Sequence, residues 1–122
     1  MEEQFRSNLP IYLQLMERIK EQIVSGELQP GQRLMPVREL AQTFEVNPNT
    51  MQRALSELER ERLMYTERTA GRFITQDEQL IAQTREALAV GRVDSFLAQM
   101  RALGYSQKAL AELIETRLRE QI

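Results

Sequence analysis

The side chains in this sequence that are best suited to specific chemistry are the amides and the guanidinium group of residues 49–53. Asn49 and Gln52 each carry a donor and an acceptor, and Arg53 carries a fork of donors, so each can form two hydrogen bonds with one matching edge. Asn and Gln match the edge of adenine, Arg matches guanine, and Thr50 can reach a phosphate or a thymine methyl. These residue types suit base recognition, but without further motifs the same polar side chains more often form the solvated face of an ordinary helix.

Other kinds of chemistry lack the residues that they need. The 122 residues include no Cys and no His, which removes thiol and imidazole nucleophiles and the usual transition-metal ligands. No carboxylate pair lies in a recognisable catalytic motif, so we expect no enzyme, no metal and no cofactor. The acidic start Met1-Glu2-Glu3 is unlike a signal peptide, and there is no apolar run of about 18 residues. We therefore expect a cytoplasmic protein without a membrane segment.

Two short helices precede the polar segment. Apolar residues recur at helical spacing from Pro10 to Ser25, which predicts a first helix with one buried stripe. Gly26 suits a left-handed C-cap, and the residues 29–32, Gln-Pro-Gly-Gln, predict a turn. Pro36 suits a first helical position, and a second helix of about two turns follows.

The third helix carries the candidate residues. Asn47 is suited to cap its N-terminus, and Pro48 is suited to its first turn. The helix buries Met51, Ala54, Leu55 and Leu58 and points its polar residues the other way. Because only Glu45 and Val46 separate it from the second helix, the pair predicts a helix-turn-helix.

A hairpin and a helical tail complete the chain. Residues 63–66 and 72–75 are β-prone and flank Gly71, and Arg68 and Arg72 give this hairpin, or wing, a basic tip. From residue 77 the apolar residues predict two more helices, with a kink or a break near Gly91 and an N-cap at Ser106. The last apolar stripe ends at Ile122. A tail of this size cannot bury such stripes alone, so we expect a homodimer through it.

Several segments together carry a resemblance to a known family. They are Pro10-Ile11-Tyr12, residues 26–31 (GELQPG), Leu34 with residues 37–41 (VRELA), residues 46–50 (VNPNT), Glu57-Leu58-Glu59 and residues 71–74 (GRFI). In their order and spacing they resemble the winged helix-turn-helix domain of GntR-family bacterial transcription regulators, and the short tail resembles the YtrA-like subfamily.

The resemblance implies a fold and a set of site residues. The fold is mostly α with a small β-hairpin: a winged helix-turn-helix DNA-binding domain at residues 1–76 and a two-helix dimerisation tail at residues 77–122. By resemblance the second helix contacts DNA, the start of the third helix reads bases, and the wing tip enters the minor groove. These roles pass to Arg38, Asn47, Pro48, Asn49, Thr50, Gln52, Arg53 and Gly71, and the residue chemistry adds Arg68 and Arg72.

The sequence departs from the family pattern at three places. Met35-Pro36 stands where the family has Pro-Ser, so the Ser cap of the second helix is lost. Thr69 and Arg72 replace a Gly and a Thr in the wing. At the end of the third helix, Glu61-Arg62 lacks the usual Gly C-cap.

We therefore expect a homodimeric repressor that binds double-stranded DNA at an inverted-repeat operator. The sequence does not show whether this repressor has an effector. The net charge of −2 and the pI of about 5.3 leave an alternative open, a winged-helix protein–protein interaction module without DNA binding. Arg38 could also be a simple helix partner of Glu39 or Glu45.

Overall fold

The computed structural model describes residues 8–121. Two of the expectations above concern residues outside this range. The unlikeness to a signal peptide depends on Met1 to Glu3, and the end of the last apolar stripe is at Ile122. The elements are α1 (Ile11–Val24), α2 (Val37–Phe44), α3 (Pro48–Arg60), β1 (Met64–Glu67), β2 (Gly71–Ile74), α4 (Glu78–Ala102) and α5 (Gln107–Gln121). The predicted fold class, mostly α with one antiparallel hairpin, is confirmed.

The first compact unit is built around α3. Its apolar residues Met51, Ala54, Leu55 and Leu58 are fully or almost fully buried, as the periodicity predicts. They pack against the buried stripe of α1, which includes Leu15 and Ile19, and against α2 and the hairpin. Burial of this one continuous cluster holds the polar face of α3 toward solvent.

The turns on both sides of α3 fix where it begins and ends. The Asn47 Oδ1 accepts the Asn49 N–H at 2.7 Å, and Pro48 occupies the first turn, as predicted. Glu45 ends α2 in the left-handed region at φ 58°, and Arg62 takes the same region after α3 at φ 68°. Arg62 thus adopts the left-handed conformation that a Gly has in the family pattern.

The start of α2 differs by one residue from the prediction. Pro36 has an extended ψ of 154° and precedes the helix, which begins at Val37. The Pro36 carbonyl accepts the Leu40 N–H at 3.0 Å. Pro36 therefore fills the N-cap position without a capping side chain, the role that Ser has in the family pattern.

The hairpin pairs with a third segment that the sequence does not reveal. β1 and β2 pair antiparallel, with Tyr65 opposite Phe73. Leu34 donates its N–H to the Arg72 carbonyl, and Ile74 donates to the Gln32 carbonyl, both at 2.9 Å. These bonds attach the wing to the segment that leads into α2.

The first unit extends into α4. The described residues 77–86 group with it, whereas the predicted boundary lies after Gln76. Ile81 is buried in the same core, and the Arg85 guanidinium donates to the Val24 carbonyl at 3.1 Å. A break of this helix near Gly91 is excluded, because α4 is continuous from Glu78 to Ala102, and a kink there stays a prediction. A single Gly costs a helix only about 1 kcal/mol.

The second unit, described over residues 87–121, leaves much apolar surface exposed. Gly104 turns the chain at φ 96°, and the Ser106 Oγ caps α5 by accepting the Ala109 N–H at 3.1 Å. Leu110 alone is buried among its described apolar residues. The exposed large apolar residues are Val90, Val93, Phe96, Leu103, Tyr105 and Leu118. None of the described helices is both long and apolar enough to cross a membrane.

Candidate nucleic-acid interface

The polar face at the start of α3 is exposed to solvent. Asn47, Pro48, Asn49, Gln52 and Arg53 are all exposed. Because the first turns of a helix leave backbone N–H groups without helical partners, this end also attracts anions such as phosphate. Helix geometry and side-chain chemistry thus agree on one surface.

Thr50 lies on the same turn of α3 but is half-buried. Its predicted contact with a phosphate or a thymine methyl stays a prediction.

Gln52 and the wing border one shallow cavity. This cavity has a volume of about 370 Å³, and its lining includes Gln52, Thr66, Gly71, Arg72 and Arg33. The Gln52 Nε2 donates to the Ser56 Oγ at 3.1 Å, which uses one of its two amide hydrogens. Gln52 of α3 and Gly71 of the wing therefore line the same cavity, although they lie 19 positions apart in the sequence.

Arg53 lies over an aromatic ring. Its Cζ is 3.8 Å from the centroid of the Tyr12 ring, a stacking distance at which a guanidinium and a ring attract each other. Tyr12 belongs to α1 and packs against the core cluster. The sequence pattern assigns Tyr12 only to a buried stripe and contains no signal for this contact.

Arg72 is tied to α3. Its Nη2 lies 3.3 Å from the Glu59 Oε1, and the same carboxylate accepts a hydrogen bond from the Thr66 hydroxyl. The Arg72 side chain is only 17% exposed, and its Nε is buried without a partner among the described residues. Arg72 thus joins the wing to the C-terminal half of α3, and its predicted DNA contact stays a prediction.

The tip of the wing depends on Gly71. Its φ of 112° is one that side-chain-bearing residues rarely adopt, and a Cβ there would lie 3.2 Å from the Arg33 Nε. The Arg33 side chain therefore lies directly against the Gly71 backbone, a role for Arg33 that the sequence does not indicate. Arg68 is exposed in the turn between the strands.

Arg38 is exposed on α2. Among the described residues it forms no ion pair with Glu39 or Glu45, the two partners that the sequence allows. Its predicted contact with DNA stays a prediction.

The chain is similar to a known family of proteins. The pattern described as bacterial regulatory proteins, gntR family, matches residues 11–74. An uncharacterized HTH-type transcriptional regulator of Bacillus subtilis (strain 168), YhcF, is 39% identical over 95% of this chain and 96% of its own. The HTH-type transcriptional repressor YtrA of the same strain is 36% identical over 80% of this chain and 71% of its own.

The fold of this chain is also similar to that of solved structures. A GntR-family transcriptional regulator from Listeria monocytogenes superposes with a TM-score of 0.81 and 36% identity, over 92% of this chain and 98% of its own. A crystal structure of AraR(DBD) in complex with operator ORR3 gives a TM-score of 0.52 and 31% identity, over 62% of this chain and 88% of its own. The relatives named here are transcriptional regulators, not enzymes. With its helix-turn-helix, its wing and this family match in place, the chain belongs to the GntR family of bacterial DNA-binding transcriptional regulators.

Proposed function

We propose that this protein is a repressor that binds an inverted-repeat operator as a homodimer. The observation that carries the proposal is the exposed polar face of α3, which has a capped N-terminus and borders the same cavity as the wing. The relative YtrA is named a transcriptional repressor. A repressor of this kind prevents transcription by occupying its operator.

The residues divide into two groups by the part of the DNA that suits them. Asn49, Gln52 and Arg53 are exposed on α3 and have the paired donors and acceptors that read base edges in the major groove. The resemblance adds Asn47, Pro48 and Thr50, at the start of α3, to this group. The second group suits the phosphate backbone or, at the wing tip, the minor groove, and it contains Arg38, Arg68, Gly71 and Arg72.

The tail supports the homodimer. The described residues 87–121 expose several large apolar side chains and bury only Leu110, and a second copy of the chain would cover them. A twofold dimer presents two copies of α3, so its operator is expected to contain two inverted half-sites. Since a bacterial chromosome lies in the cytoplasm, the proposal includes a cytoplasmic location.

A selection from random double-stranded DNA tests the proposal directly. We expect the retained pool to contain an inverted repeat, and the affinity of the protein for that duplex to fall steeply with salt, by a slope of roughly −0.9 for each phosphate neutralised. Gln52→Ala should weaken binding and relax preference at one base pair of each half-site. Gln83→Ala, an exposed Gln on α4, is the matched control and should change neither.

The outcomes separate the alternatives. An enriched sequence without twofold symmetry would contradict the homodimer while preserving DNA binding. No enrichment at low salt would contradict DNA binding by the protein alone and favour the protein–protein interaction module.

A further inference from the structure

The contact between Arg53 and Tyr12 joins the DNA-facing helix to a residue outside the helix-turn-helix. The Arg53 Cζ lies 3.8 Å from the Tyr12 ring centroid, so the guanidinium lies over the face of the ring. A guanidinium that stacks flat on a ring at this distance keeps the N–H groups at its edge free to donate in its plane. The contact therefore does not compete with an edge-on hydrogen-bonding partner.

Tyr12 is itself held in place. It lies in the first turn of α1, which begins at Ile11 after Pro10, and it packs against the buried core cluster. An exposed arginine otherwise has many rotamers, and ordering it on binding costs entropy. An arginine resting on a fixed ring has already lost part of that freedom before DNA arrives.

We infer that Tyr12 is a positioning residue for DNA recognition, which holds the Arg53 guanidinium so that its edge pairs with a guanine. The inference rests on the proposed function and assigns to α1 a part in sequence preference. Guanine is the base expected because its O6 and N7 accept two parallel hydrogen bonds from one guanidinium edge.

The experiment begins by finding the base pair that Arg53 reads. The duplex recovered from the selection is changed one position at a time, and the affinities of the wild-type protein and of Arg53→Gln are compared. We expect Arg53→Gln to lose preference for guanine at one position of each half-site. If the base preference at every position is unchanged in Arg53→Gln, the inference is wrong. The proposed function would still stand in that case, because the wild-type protein binds the selected duplex.

The second step asks whether Tyr12 acts through Arg53. Tyr12→Phe keeps the aromatic face and should bind within about twofold of wild type. Tyr12→Leu and Tyr12→Met remove the face but keep an apolar side chain, and we expect each to lose roughly five- to tenfold on the guanine duplex, a modest effect in line with a cation–π contact. On the duplex with that guanine replaced, and in the Arg53→Gln background, the same changes should cost less than twofold.

A merely structural role for Tyr12 gives a different pattern. If Tyr12→Leu and Tyr12→Met weaken every duplex equally and in both backgrounds, Tyr12 only supports the fold and the inference is overturned. Unchanged affinity in both variants would overturn it as well. Thermal unfolding shows whether Tyr12→Leu and Tyr12→Met are folded. If one of them does not fold, the binding data of the other variant test the inference.

Discussion

The two units of the chain differ in how far their apolar side chains are buried. In the first unit the apolar side chains of α1, α2, α3 and the hairpin converge on one core, and residues such as Leu15, Met51 and Leu58 have no exposed surface. In the second unit only Leu110 is buried among the described apolar residues, and Leu103 is 72% exposed. Helical periodicity is present in both, so periodicity alone does not show whether a stripe is covered by its own chain.

The difference indicates how each unit obtains its stability. The first unit has its own core and needs no partner to bury it. The second unit has the size class in which a single chain rarely buries enough apolar surface to fold firmly alone. The stability of the tail is therefore expected to depend on protein concentration. The stability of the first unit is expected to be independent of protein concentration.

A pair of leucine substitutions tests this contrast most strongly. Leu58→Ala removes a side chain with no exposed surface and should lower the free energy of unfolding by about 3 kcal/mol, the usual cost of a lost side chain and the cavity that it leaves. Leu103→Ala, the matched change in the second unit, should cost less than about 0.5 kcal/mol at dilute concentration. Urea unfolding followed by circular dichroism measures both, and equal losses would contradict the contrast.

The attachment of the wing to α3 is the next largest effect within the first unit. Glu59→Ala leaves the half-buried Arg72 guanidinium without its carboxylate and should cost about 2 kcal/mol, less than for a fully buried pair. Glu57→Ala removes a carboxylate that pairs at 3.7 Å with the exposed Arg60, and such a surface pair is worth about 0.5 kcal/mol or less. Urea unfolding of the two variants should therefore separate them; similar values would mean that Glu59 does not anchor the wing.

The tail should respond to charge on one face of α4 and not on the other. Phe96→Glu places a carboxylate among the exposed apolar residues and should weaken the proposed dimerisation at least tenfold, about 1.4 kcal/mol. Ala98→Glu adds the same charge to an exposed position about 200° around the helix and should leave the dimer unchanged. Sedimentation equilibrium measures both, and a wild-type protein that is monomeric at high concentration would contradict the tail interface.

The smallest expected effect is a gain in stability. Arg62 holds a left-handed conformation at φ 68°, which costs a residue with a Cβ roughly 1 kcal/mol more than Gly. Arg62→Gly should therefore raise the free energy of unfolding by about that amount. Arg60→Gly, in the last turn of α3, should instead lower it by up to about 1 kcal/mol. A loss in the Arg62 variant, measured by thermal unfolding, would show that its side chain stabilises the fold.

Local signals accounted for most of the fold. The cap at Asn47 with Pro48, the stripe of α1 and the hairpin around Gly71 each depend on residues close in sequence, and the structure confirms them. The excluded break at Gly91 shows the limit of this reasoning, because a weak local preference yields to the cooperativity of a long helix.

The parts of the candidate site that could not be predicted depend on contacts distant in sequence. Tyr12 and Arg53 lie 41 positions apart, and Glu59 reaches across to Thr66 and Arg72 only once the hairpin folds back on α3. Each of these residues has an ordinary local explanation, a buried stripe for Tyr12 and a polar helix surface for Glu59. Only the packed core brings the partners together.

The hydrogen bond from Arg85 to the Val24 carbonyl has a consequence for the timing of local opening. It joins α4 to the end of α1, and Ile81, one turn earlier, is held in the core. The opening of the first two turns of α4 is therefore expected to be coupled to opening of the core around α1. Their amide hydrogens should exchange with solvent deuterium about as slowly as those of α3, whereas protection should fall along the same helix once the chain has passed Glu86.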